Sequence, residues 1–322
     1  MVVHCGTHLI YLPPYPHMRS HSYVHPLSLR SLVVVLFLAS TMTGTSAILK
    51  LFGRPIRAIS FDVTGTLLVH KDPIMDTYAA CAVHARLPNP PSAEELKPAF
   101  KQAYKETLLK SPCFRNDDEH YSSRGWWVSA VRRALELTGR HYDERDFNRF
   151  FRRVYQHYGS PAGYEVLDDT RPFLSFLKSR AGADAPHERL CLGITTNTPI
   201  RTVETVLPMM GLHDDFSFFV CCQDVGEEKP AAAIFHEAFL QAQFALPNLQ
   251  RHEVLHVGDS LAADFHGARA YGFQAVFLDR SANAKVRVYQ DWLVGPEYEG
   301  KSAEDVAKHT VTDFADLQKI LS

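Results

Sequence analysis

Ile56-Arg57-Ala58-Ile59-Ser60-Phe61-Asp62-Val63-Thr64-Gly65-Thr66 is the stretch that decides the fold. Ile56 to Phe61 is a short, mostly apolar run of strand character, and Asp62 follows it directly. An acid at the C-terminal end of a buried parallel strand sits where open α/β sheets bind their ligands. Gly65 permits a tight turn away from the strand, and Thr66 offers a hydroxyl to an anion. Three further signals follow in order: Thr196-Asn197 after an apolar run, Lys229-Pro230 before a helix, and Gly258-Asp259-Ser260 with Asp264 after another strand.

Between these signals the chain alternates strand and helix. Strands are expected at Leu190–Ile194, Phe216–Cys222, Val254–Val257 and Ala275–Leu278. Helices are expected at Asp169–Lys178, Pro199–Met210, Ala231–Gln243 and Leu261–Tyr271, with a last one capped by Thr312 and packed through Phe314, Leu317 and Leu321. That rhythm predicts an α/β fold, a Rossmann-like parallel sheet with helices on both faces. Ser281 to His309 carries no clear pattern. From about Met75 to Val166 the reading is helical throughout, with no strand interrupting it. Ser92-Ala93-Glu94-Glu95 opens one helix as an N-cap followed by acids. Trp126, Trp127, Val131 and Leu135 recur at helical spacing in a second, and both tryptophans read as core. Phe147, Phe150, Phe151 and Val154 line a third, Glu144–Tyr158. The block is too long for a loop between sheet elements. The expected organisation is therefore residues 54–75 and 167–322 as the core domain, with 76–166 as an inserted helical domain and 1–53 as an extension.

The chain has 322 residues, 46% hydrophobic and 22% charged, as globular domains have. A net charge of −2 makes no electrostatic case for nucleic acid as a partner. The six cysteines show no CxxC spacing, so neither a disulfide framework nor a zinc site is expected, and a reducing compartment fits. Residues 1–61 contain no Asp or Glu, and Ser31 to Leu49 carries no charge. A secretory signal cleaved after Thr45-Ser46-Ala47 would have too long a polar lead-in. A membrane anchor would be diluted by Ser, Thr and Gly. An acid-poor transit peptide, or an unstructured extension with translation starting at Met18 or Met42, also fits. The expected location is cytoplasmic, with mitochondrial or membrane-anchored alternatives through residues 1–50; membrane contact is expected only if that segment is a retained anchor.

Each polar signal alone has an ordinary reading as a cap, turn or solvated charge; four of them in order at strand ends do not. Asp62 is the candidate nucleophile, since a carboxylate can attack phosphorus or carbon and divide one hard step into two. Asp259 supplies a second carboxylate, and such a pair of oxygens suits Mg²⁺. Asp264 is placed to hold a metal-bound water or Lys229. Lys229 would neutralise charge developing on the transferred group. Thr196 and the backbone N–H groups ahead of Pro199 can bind phosphoryl oxygens.

These motifs resemble those of the haloacid dehalogenase-like (HAD) hydrolase superfamily from about Arg54 onward. Asp62-Val63-Thr64-Gly65-Thr66-Leu67-Leu68, Thr196-Asn197, Lys229-Pro230 and Gly258-Asp259-Ser260 through Asp264 match its motifs in order. Ser122-Ser123-Arg124-Gly125-Trp126-Trp127 and His256-Val257-Gly258-Asp259 are most similar to the haloacid dehalogenase-like hydrolase domain-containing protein three group. The resemblance implies a C1-type cap at residues 76–166, Mg²⁺, an aspartyl-phosphate intermediate and a small phosphorylated metabolite as substrate. It implies Asp62, Thr64 and Lys229 as catalytic positions, and Gly65, Thr66, Thr196, Asn197 and Lys229 around the phosphate. The metal would be held by Asp62, the Thr64 carbonyl, Asp259 and Asp264. Two positions depart from the family pattern. Pro230-Ala231-Ala232 replaces the usual Pro-Asp-Pro, a loop detail. Thr64 stands where family phosphatases carry a second Asp, the general acid and base, much as it does in P-type ATPases. A hydroxyl transfers protons poorly near neutral pH. The expected activity is thus a slow Mg²⁺-dependent phosphatase, with a catalytically degenerate binding or regulatory protein as the alternative. Carbon–halogen hydrolysis by the same nucleophile ranks third, because family dehalogenases dispense with the metal-binding carboxylates.

Overall fold

The computed structural model describes residues 48–115, 122–180, 190–283, 286 and 303–321. The expectations for residues 1–47, and for most of the stretch from Ser281 to His309, lie outside them. Among the described residues the strands are β1 (Leu49–Leu51), β2 (Arg54–Ile56), β3 (Ala58–Phe61), β4 (Leu68–His70), β5 (Tyr164–Val166), β6 (Cys191–Thr196), β7 (Phe218–Cys221), β8 (Val254–Gly258), β9 (Gln274–Leu278) and β10 (Thr310–Val311). Six of these form one sheet in the order β10-β9-β8-β3-β6-β7, and every pairing in it is parallel. β3, β6 and β8 are buried along their whole length, which explains their near-continuous apolar runs.

The alternation of the strands feeds two separate cores. Ile59 and Phe61 of β3 face one, where Phe173 and Phe314 stack with centroids 4.6 Å apart. Ala58 faces the other, under the helix Ala232–Ala245 with its buried Ile234, Phe235 and Ala238. Helices therefore cover both faces of the sheet, as the strand–helix rhythm predicts.

Between β4 and β5 lie four helices: α1 (Ile74–His84), α2 (Ala93–Lys110), α3 (Arg124–Leu137) and α4 (Glu144–His157). They share a core of their own, with Tyr78, Phe100, Val131, Phe147, Phe150 and Phe151 buried in it. Ser92 caps α2 through a reciprocal pair with Glu95: Ser92 N–H donates to Glu95 Oε2 at 2.8 Å and Glu95 N–H to Ser92 Oγ at 3.3 Å. Trp126 is buried, and its indole N–H donates to the Ser111 carbonyl at 2.8 Å. Trp127 is only partly buried, and its ring lies 26° from the plane of Phe114.

Local differences from the sequence reading have simple causes. The strand expected from Ile56 is broken at Arg57, and β2 instead pairs back on β1 across Phe52 and Gly53, both at positive φ. The all-helical reading of Met75–Val166 is corrected by β5, which pairs antiparallel with β4 in the register Leu68↔Val166. Three half-buried residues show no alternation to read. The helix expected at Pro199–Met210 is present from Ile200 to Met209, with a wider π-type stretch at Thr202–Val206 inside it. No helix among the described residues is long and apolar enough to cross a membrane.

Candidate active site

Three neighbouring strands end level with one another. Phe61 pairs with Ile194 on one side and Val257 on the other. The residues that follow, Asp62, Thr195-Thr196 and Gly258-Asp259, therefore meet at one edge, the C-terminal edge of a parallel sheet. Lys229 reaches the same point from the loop ahead of the helix Ala232–Ala245.

Lys229 is 4% exposed and its ammonium makes three hydrogen bonds: to Asp62 Oδ1 at 2.8 Å, to the Thr195 carbonyl at 2.8 Å and to Asp264 Oδ1 at 2.5 Å. An ammonium has three protons, so its donors are fully used. Burial alone would lower the Lys229 pKa, but the Asp264 and Asp62 carboxylates outweigh it and push it well above the usual lysine range. Asp62 Oδ1 also accepts from Thr196 Oγ1 at 3.0 Å. Burial raises the Asp62 pKa, Asp264 adds to the rise, and Lys229 opposes it.

The expected ligands divide into two kinds. Asp62, Asp259 and Asp264 converge, with one carboxylate oxygen from each within 4.8 Å of the others. Asp264, however, is spent on the protein. Its Oδ1 receives Lys229 and His256, and its Oδ2 accepts the Ser260 N–H at 2.9 Å. Burial would raise its pKa, but Lys229 and then His256 hold the carboxyl far below the usual range. Asn197 lies at the site but acts on Lys229: its Oδ1 accepts the Lys229 N–H at 2.7 Å and its Nδ2 donates to the Lys229 carbonyl at 2.9 Å. Thr66 is fully buried with its hydroxyl 3.5 Å from Asp259 Oδ1. Gly65 has φ +90°, and a Cβ there would land inside the Asp259 carboxylate. Only glycine serves both the turn and the close approach. Gly258 is likewise required, since a Cβ would strike Asp264. Thr64 is buried near Asp62 and lines an adjoining cavity.

Three residues that the motif reading did not assign hold this arrangement. His256 is fully buried, with Nε2 3.0 Å from Asp264 Oδ1 and Nδ1 3.1 Å from Ser60 Oγ. Burial pushes its pKa down, and because a carboxylate only accepts, the neutral ring carries its proton on Nε2. Ser60 continues the chain to Thr195 at 2.6 Å. Arg280, just past β9, is buried and donates to the Thr66 carbonyl at 3.2 Å and to Asp169 at 2.9 Å. A polar residue inside an otherwise apolar strand, Ser60 or His256, is the signal that was available.

Residues 56–272 match the haloacid dehalogenase-like hydrolase family, and the chain belongs to it. It is 29% identical over 223 residues to the human haloacid dehalogenase-like hydrolase domain-containing protein 3, an alignment covering 69% of this chain and 82% of that protein. A ribulose-1,5-bisphosphate 5-phosphatase of Halopiger xanaduensis is 24% identical over 216 residues, 64% of this chain and 85% of its own. Among solved structures, L-2-haloacid dehalogenase from Xanthobacter autotrophicus superposes with a TM-score of 0.54 at 18% identity, covering 82% of this chain and 98% of that one. That likeness is one of fold.

Proposed function

We propose that this HAD-like hydrolase is a Mg²⁺-dependent phosphatase working through Asp62, slow toward substrates whose leaving group needs a proton. The observation that carries the proposal is the convergence of three carboxylates within 4.8 Å of one another, two of which, Asp62 and Asp264, bond to the Lys229 ammonium. That set holds three negative charges against one positive. Its all-oxygen donors suit a hard divalent cation. Asp62, the Thr64 carbonyl and Asp259 would hold Mg²⁺, with Asp264 setting its surroundings through Lys229. When bound, the ion would supply charge neutralisation for the phosphoryl oxygens.

The chain's own residues do the rest. Asp62 Oδ1 is occupied by Lys229 and Thr196, and among the described residues no hydrogen bond reaches Oδ2. Oδ2 is the oxygen for attack. It would bond to phosphorus as the ester P–O bond breaks, leaving an acyl phosphate on Asp62 and an alkoxide that must find a proton. Water then attacks the phosphorus, and the Asp62 carboxylate and inorganic phosphate are released. Thr64 gives neither step an efficient proton carrier, so the first is slow for alkyl esters and the second slow for all. The helices of residues 76–166 would act as a cap that excludes water and selects the substrate.

The proposal is tested by incubating the protein with Mg²⁺ and radiolabelled acetyl phosphate, whose leaving group needs no proton. Acid-stable label on Asp62, absent in Asp62→Asn, is the expected result. No label, together with no phosphate release from any phosphometabolite, would leave the alternative of a binding protein. Thr64 is the observation that favours that alternative. Activity without added metal on haloacids would instead support carbon–halogen hydrolysis.

A further inference from the structure

Beside Thr64 a cavity of about 170 Å³ opens between the sheet domain and the helices α1–α4. Nine of its nineteen lining residues are Phe, Tyr or Trp, against 11% of the chain as a whole. Aromatic side chains so concentrated on one cavity need a ligand or mutual packing to cover them. Trp127, Tyr104 and Tyr155 keep part of their surface uncovered. We propose that the site accepts phosphomonoesters whose organic part is a single aromatic ring, and that this cavity holds the ring; the proposal rests on the phosphatase reading above.

The lining is graded in polarity. Thr64, Asn197 and Thr198 belong to the loops that carry Asp62 and Thr196, so the phosphoryl group is delivered at the polar end. Tyr78, Phe100 and Phe151 come instead from the helices α1, α2 and α4. The size suits one ring, since a cavity of about 150 Å³ accommodates benzene. A sugar chain is disfavoured, because each hydroxyl pressed against these rings would lose its partner in water.

Charge decides between two kinds of ligand that aromatic walls favour. Quaternary ammonium groups bind in such cages through cation–π attraction. Here no Asp or Glu lines the cavity, and the one fixed positive charge, Arg201, does. Its guanidinium lies 3.6 Å from the centre of the Tyr155 ring and donates to the Tyr155 carbonyl at 2.8 Å. A cationic ligand would be repelled, whereas a neutral ring stacks. His70, also on the wall, is held neutral because burial pushes its pKa down to about 4.

The test compares benzyl phosphate with glycerol phosphate in Mg²⁺. Both release ordinary alkoxides, so the missing acid at Thr64 penalises them alike and only the cavity separates them. The expected kcat/KM ratio is about 30- to 100-fold in favour of the benzyl ester, from burial of one ring. In parallel, calorimetry with benzylphosphonate and methylphosphonate reads binding without turnover. Trp127→Ala should lower the benzyl preference by about three- to tenfold, and Trp127→Phe should restore most of it. A merely structural tryptophan would not move that ratio. Equal turnover of the two esters overturns the aromatic-ring proposal and leaves the phosphatase standing. Tight benzylphosphonate binding without turnover of either ester, and without labelling of Asp62 by acetyl phosphate, keeps the ring site and sinks the phosphatase. No phosphonate binding, no ester turnover and no labelling of Asp62 by acetyl phosphate together overturn both.

Discussion

Thr64→Asp is the substitution that isolates what this chain lacks. Thr64 is 7% exposed and lines the cavity into which a leaving group would project. Aspartate adds one non-hydrogen atom and leaves the backbone carbonyl untouched, so the metal set is preserved. The new carboxyl would be buried as Asp62 is, and burial raises a carboxyl pKa, keeping a proton available for donation. General acid assistance is typically worth about 10²–10⁴-fold. The gain should therefore reach about that size in the single-turnover phosphorylation rate with glycerol phosphate, whose alcohol departs as an alkoxide. Acetyl phosphate departs as a carboxylate that needs no proton, so its first step should change by less than about threefold. The assay is phosphate release and single-turnover phosphorylation of both substrates across pH, with a new limb falling as pH rises through the introduced carboxyl's pKa. An equal rise in the single-turnover phosphorylation rate of both substrates would refute the reasoning, as would no rise in it for glycerol phosphate in a protein whose Asp62 still becomes phosphorylated by acetyl phosphate.

Lys229→Met leaves Asp62 and Asp264 as buried carboxylates without their counter-charge, so urea denaturation should show a loss of about 3–5 kcal/mol near neutral pH. A loss under about 1 kcal/mol would mean that water already reaches the triad. His70, on the wall of the cavity, sets a pH dependence of stability. Its pKa is about 4 in the fold against 6.5 for the free group, burial being the main cause and His157 the lesser. Below 6.5 the unfolded chain takes up the proton and the folded one does not, so stability present above 6.5 falls as pH drops toward 4. The loss is about 3 kcal/mol. His70→Leu should remove that part of the slope, and parallel curves for the two proteins from pH 7 to about 4 would contradict it.

The sheet was readable because its strands are buried on both faces and follow one another with helices between, so β3, β6, β8 and β9 announce themselves as apolar runs. β4 and β5 were not, because three-residue strands depend on a partner about a hundred positions away. The motif residues were legible for a related reason. Asp62, Thr196 and Asp259 each terminate a strand, and parallel register brings such ends together whatever lies between them. What each side chain then does is set by partners that no spacing reveals. Asn197 looked like a phosphate ligand and instead fixes the backbone of Lys229. Cys113 and Cys222 lack CxxC spacing, yet with Glu228 they offer ligand atoms within 4.8 Å of one another.

Lys229 raises the sharpest question about the proposed reaction, because its three protons are already bonded and a phosphoryl oxygen can be met only by giving one up. The bond to the Thr195 carbonyl has no reason to yield, since nothing happens to that oxygen. The bond to Asp264 is braced, because Asp264 is itself held by His256 and the Ser260 N–H. Asp62 is different. Once its Oδ2 is bonded to phosphorus the carboxylate becomes a neutral acyl group, and the negative charge that bound Lys229 has moved onto the phosphoryl oxygens. The ammonium gains by following it. Asp264 and Thr195 thus act as the fixed anchor, and Asp62 as the contact that is exchanged. Weakening the anchor, as His256→Phe would, should cost phosphoryl transfer more than Mg²⁺ binding.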